Sequence, residues 1–116
     1  MRQRAVYDGY SVKLPNTAGE TEVVGDLCEY RTVARLIALG AFRYEDDDGP
    51  ISVRLERKDR GSAEGYWVAY KRSNRKLHKT YVCEAHVLDP YNLDMAYKRL
   101  MHDVAVHHNR VHAVPP

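Results

Sequence analysis

The chain has little of what would place it in a specialised class. Only two of its 116 residues are cysteines, Cys28 and Cys83, far apart in a sequence with no export signal, so both are expected to be thiols and not a disulfide. No window approaches the roughly 18 apolar residues that a membrane helix needs. Arg2 and Arg4 are followed by no apolar stretch, so no secretory signal is read and a cytoplasmic location is the default expectation. The seven glycines form neither G-x-G-x-x-G nor G-x-x-x-x-G-K, and the close pair Gly61 and Gly65 is followed by Tyr66 instead of Lys, so no phosphate-cradling loop is indicated. An apolar share of 44% against 29% charged rules out collagen-like and disordered classes, and the length suits one domain spanning 1–116.

Catalytic and metal constellations fare no better. The acidic run Asp46-Asp47-Asp48-Gly49 is not a calcium loop, because placing Gly49 at the sixth position puts Tyr44 at the first and Leu55 at the twelfth, where carboxylates are required. Four of six histidines lie near the end of the chain: His102, His107, His108 and His112. His108 and His112, at i and i+4, would share a helical face as a metal pair does, yet no Cys pair or H-E-x-x-H completes a ligand set. A polar helix end, with imidazoles near its dipole, explains them more simply. Cys28 falls in a first helical turn, where the dipole can depress a thiol pKa, but no spacing assigns it a base. No enzyme, cofactor or metal is therefore expected.

What is present is an uneven distribution of charge. The net charge of +2 conceals 6 Lys/Arg against 9 Asp/Glu in residues 1–50, and 12 against 7 in residues 51–116. Arg54 to Lys79 is the densest stretch, with nine basic residues against three acidic ones. Such a concentration attracts polyanions, since each phosphate contact releases condensed counterions.

The hydrophobic pattern gives an α+β fold. Tyr7 to Leu14 alternates as a short strand, and Asn16 to Gly25 reads as a turn with Glu22-Val23-Val24 returning. Asp26 with Glu29 has capping-box spacing and predicts a helix over 27–39, with Tyr30, Val33, Ala34, Ile37 and Ala41 at helical spacing and Gly40 as its left-handed cap. Phe42-Arg43-Tyr44 leads into an acidic turn. Ile51, Val53 and Leu55 then alternate with Ser52, Arg54 and Glu56, and strands follow at Tyr66–Arg72 and Leu77–Cys83. Asp89 and Pro90 open a second helix over about 90–108, with Leu93, Tyr97, Leu100, Met101 and Val104 inward. The expected architecture is a three-stranded antiparallel sheet over 51–83 packed on two helices, with the N-terminal strands as an extension.

The sharpest functional signal is the basic, aromatic hairpin. Alternation puts Tyr66, Val68, Tyr70 and Arg72 on one face and Trp67, Ala69 and Lys71 on the other, so one face can pack on a helix while the other stays available. A sheet or ribbon of this kind fits the DNA major groove, and an exposed Trp67 or Tyr could instead stack on unpaired bases, although aromatic core packing also explains these rings. Lys71, Arg72, Arg75, Lys76 and Lys79 are the expected phosphate contacts, Asn74 and Arg54 the candidates for base edges, and Trp67 the stacking group for a single strand.

The run Tyr66-Trp67-Val68-Ala69-Tyr70-Lys71-Arg72, then Lys76-Leu77-His78-Lys79-Thr80-Tyr81-Val82, then a helix from Pro90, resembles the three-strand-plus-helix DNA-binding domains at the N-termini of tyrosine-recombinase integrases. It is also similar to hairpins in bacterial regulators and mobile-element proteins. The resemblance covers 51–104 and implies DNA binding by an accessory or regulatory factor, not strand cleavage. Arg75 stands where that pattern has Gly, and Cys83-Glu84 replaces a Gly-Lys. The competing reading is a protein-interaction module or homodimeric adaptor, in which the acidic half docks a basic partner or a second copy, or a sheet edge at Ile51–Arg57 or Leu77–Cys83 accepts a strand.

Overall fold

Seven strands and two helices make up the computed structural model, which describes residues 4–46 and 48–112. In chain order these are β1 (Val6–Tyr7), β2 (Val12–Pro15), β3 (Thr21–Gly25), α1 (Tyr30–Leu39), β4 (Ala41–Asp46), β5 (Gly49–Arg57), β6 (Gly65–Ser73), β7 (Lys76–Glu84) and α2 (Pro90–Val111), with a 3-10 turn at Ala85–Val87. The strands form one sheet in the order β3-β2-β1-β4-β5-β6-β7. All neighbours are antiparallel except β1 and β4, which pair in parallel. Parallel strands need a long connection, and β2, β3 and α1 together supply it.

The expected meander is present as β5, β6 and β7, inside a larger mixed sheet. Phe42-Arg43-Tyr44, expected only to lead into a turn, belongs to β4, whose Phe42 and Tyr44 point inward while Arg43 and Glu45 point out. The single N-terminal strand is two short ones, because Asp8 Oδ1 accepts from the backbone N–H groups of Tyr10 and Ser11 at 2.9 Å each and turns the chain between them. The return strand at Glu22–Val24 is β3. Ile51–Arg57 is not an edge: β5 lies between β4 and β6, and the edges are β3 and β7.

Helix α1 starts at Tyr30, later than the capping-box spacing predicts. The Asp26 carboxylate accepts from Cys28 N–H at 2.9 Å in the turn before the helix, and Glu29 occupies the N-cap with no side-chain bond. This shift leaves Tyr30 73% exposed and turns Thr32, Val33, Leu36 and Ile37 inward. Gly40 closes the helix at φ 78° as expected, and Arg57 reaches across to donate to the Ile37 carbonyl at 2.8 Å, satisfying an orphan acceptor of the last turn. Helix α2 has the predicted cap, with Asp89 Oδ1 accepting from Asn92 N–H at 2.7 Å, and continues beyond 108 to Val111.

Both helices bury against the same face of the sheet. Leu36 and Ile37 of α1 and Leu93, Ala96, Tyr97 and Leu100 of α2 share one core with Phe42, Val53, Trp67 and Ala69. Phe42 meets Trp67 edge to face at 5.4 Å, and Tyr44 contacts Tyr7 and Tyr97 at the same distance. A bulge sets Trp67 opposite Cys83 and Val68 opposite Tyr81, so Val82 is the extra residue and both Val82 and Cys83 enter the core. At the β7 edge, Arg99 of α2 donates from Nη2 to the Tyr81 carbonyl at 2.7 Å. No helix among the described residues is long and apolar enough to cross a membrane.

Candidate nucleic-acid interface

Among the described residues, none forms a layer covering the face of the sheet opposite the helices. Strand registry arranges its side chains in rows: Arg43, Ser52, Tyr70 and Lys79; then Arg54, Val68 and Tyr81; then Glu56, Tyr66 and Glu84. Arg72 stands opposite Leu77 near the hairpin end. Tyr66 and Tyr81 contact each other with centroids 5.7 Å apart and planes tilted by 39°. The Tyr70 hydroxyl donates to Glu56 Oε1 at 2.6 Å, and that bond, more than burial, raises the phenol above its ordinary pKa. Val68 has no helix above it, yet its neighbours leave it only 6% exposed. The result is a patch of tyrosines around one valine, with cations toward the hairpin end and Glu56 and Glu84 at the other end.

The sequence-predicted residues fall into three groups. Arg54, Arg72 and Lys79 lie exposed on the open face, and none has a carboxylate within ion-pair distance among the described residues. Asn74 and Arg75 form the tip of the β6–β7 hairpin. Lys71 and Lys76 have the opposite strand parity, and Lys71 Nζ donates to the Pro50 carbonyl at 3.1 Å.

One candidate is corrected by this arrangement, and a second has partners within the fold. Trp67 is fully buried, its indole Nε1 donating to the Ala85 carbonyl at 3.0 Å, so it cannot stack on a base without unfolding the core. Asn74 is already engaged: its side-chain amide lies 3.2 Å from His108 Nδ1 and its oxygen 3.4 Å from His112 Nε2, tying the hairpin tip to the end of α2. The two imidazoles stand 4.3 Å apart, and no group of three or more metal-ligating side chains occurs among the described residues.

The face also has residues that the candidate set omitted. Tyr66, Tyr70, Tyr81 and Arg43 belong to it, and the period-2 alternation that put Tyr66, Tyr70 and Arg72 together was the signal for them. The β7 members follow only from the register, which requires the two-residue turn. Asn74 and Arg75 make that turn at φ 50° and 66°, the left-handed conformation of a tight hairpin.

No family model, curated protein or solved structure matches the chain.

Proposed function

We propose that the chain binds nucleic acid, with DNA as the expected form, on the uncovered face of the sheet. One observation supports this reading above the others: Arg54, Arg72 and Lys79, without ion-pair partners among the described residues, lie beside the exposed Tyr66 and Tyr81 and the half-buried Tyr70 on a face that no other described element packs against. The cations suit phosphates, and the tyrosines offer ring faces and hydroxyls to bases or sugars. The resemblance of 51–104 to integrase DNA-binding domains points the same way, toward an accessory or regulatory role.

The test is fluorescence polarisation with labelled duplex DNA, single-stranded DNA and RNA across a salt series. The wild type is expected to bind with a steep salt dependence, and the triple variant Arg54→Ala, Arg72→Ala, Lys79→Ala to lose about one unit of log–log slope per lost phosphate contact. Lys71→Ala, on the other face, should leave the slope unchanged. The preferred strand form separates groove insertion from base stacking. Absence of binding at low salt, or a triple variant that binds like the wild type, overturns the proposal.

A further inference from the structure

A second feature lies between β7 and the last turns of α2. The imidazoles of His78 and His107 meet edge to face with centroids 5.2 Å apart. The Nε2 atoms of both are buried, and neither has a hydrogen-bond partner. His78 is only 5% exposed, and a hydrogen bond to the Ser73 backbone holds its ring. A buried ring nitrogen left without a partner costs free energy unless something completes it.

The surroundings say what could. The two histidines line a groove of about 420 Å³ together with Lys76, Lys79, Asp103 and Arg110. Lys71 of β6 stands directly opposite His78 in the register, and His108 and His112 lie on the same end of α2, held to Asn74. One carboxylate faces three groove cations, a balance that repels a metal ion and attracts an anion.

We propose that this groove binds a phosphate-class oxyanion between Lys76 and Arg110, and that the His78–His107 pair takes up one proton from solvent as the anion enters, converting an unpartnered Nε2 into a donor. The proton adds to an imidazole lone pair, and no covalent bond to the ligand forms. Burial, Lys76 and His107 hold His78 below the ordinary imidazole value, against the opposing effects of Asp103 and the Ser73 carbonyl, so protonation needs the negative charge the ligand brings. The groove exceeds the volume of inorganic phosphate, which leaves room for a phosphate monoester carried on a larger body, such as a nucleotide or a strand end.

NMR titration of the His78 and His107 ring resonances with sulfate, a tetrahedral oxyanion whose charge does not change between pH 6 and pH 8, at both pH values and fixed ionic strength, tests the proton uptake, and inorganic phosphate at pH 8 gives the reference affinity. Sulfate affinity is expected to be higher at pH 6, by up to about a hundredfold for one fully linked proton over two pH units. Arg110→Ala should weaken binding at both pH values, and His107→Gln should flatten the pH dependence. The exposed Lys98→Ala variant should change neither. A nucleoside 5′-monophosphate binding more tightly than phosphate supports a nucleotide source, and equal affinity supports free phosphate. Equal affinity at the two pH values, or ring resonances that do not move, overturns the proposal. Lys79 borders both sites, but Arg110 and His107 belong only to the groove and Arg54 and Arg72 only to the tyrosine face, so these variants distinguish failure of one site from failure of the other.

Discussion

The two sides of β6 are built from neighbouring residues with opposite fates. On one side Trp67 and Ala69 are fully buried beneath the helices; on the other Tyr66, Tyr70 and Arg72 meet no covering element. Aromatic content is similar on both, so composition alone does not decide burial. What decides it is where α1 and α2 return to the sheet. The covered side fixes the fold, while the open side keeps side chains free for contacts outside the molecule.

The largest effect that would test this contrast is Trp67→Ala. It removes the edge contact with Phe42 and the bond to Ala85, and is expected to cost about 3–5 kcal/mol in urea unfolding, whereas Tyr66→Ala should cost about 1 kcal/mol or less. Comparable losses for the two would erase the distinction between the sides. A second effect appears at alkaline pH. Cys83, on the covered side, is pushed up to about 12 by burial, ahead of repulsion from Asp89 and Glu84, from an ordinary value of 9.0. Above pH 9 the unfolded chain releases this proton while the fold retains it, so stability should fall between pH 9 and 12. Correspondingly, a thiol reagent at pH 8 should modify exposed Cys28 rapidly and Cys83 only on unfolding. The smallest effect sits at the hairpin tip, which belongs to neither side. Arg75 adopts φ 66°, so Arg75→Gly should stabilise the protein by about 0.5–1 kcal/mol in the same unfolding assay.

Alternation over Ile51–Leu55 and Tyr66–Arg72 made the meander and its two sides readable from sequence, since a strand's period places every second residue on one face. Burial of Trp67 was not readable, because the same alternation serves an exposed or a covered face. Strand β4 was hidden by its two inward residues, Phe42 and Tyr44, running into an acidic turn. The parallel β1–β4 pairing joins segments more than thirty residues apart, Val6 with Arg43 and Tyr7 with Tyr44, which no local pattern records. Asn74 looked free for base contacts because its partners, His108 and His112, reach it only through the docking of α2. The unpartnered Nε2 atoms of His78 and His107 likewise depend on tertiary placement.

The bond from Arg99 to the Tyr81 carbonyl has an effect on how the sheet can grow. In the hairpin, Leu77, Lys79 and Tyr81 turn their backbone groups away from β6, and these are the groups an arriving strand would use. A guanidinium already seated on Tyr81, two lysines along the strand and the bulge at Val82 together obstruct continuous pairing there. End-to-end polymerisation through β7 is thereby resisted, and a second copy of the chain would have to find its contact on some other part of the surface.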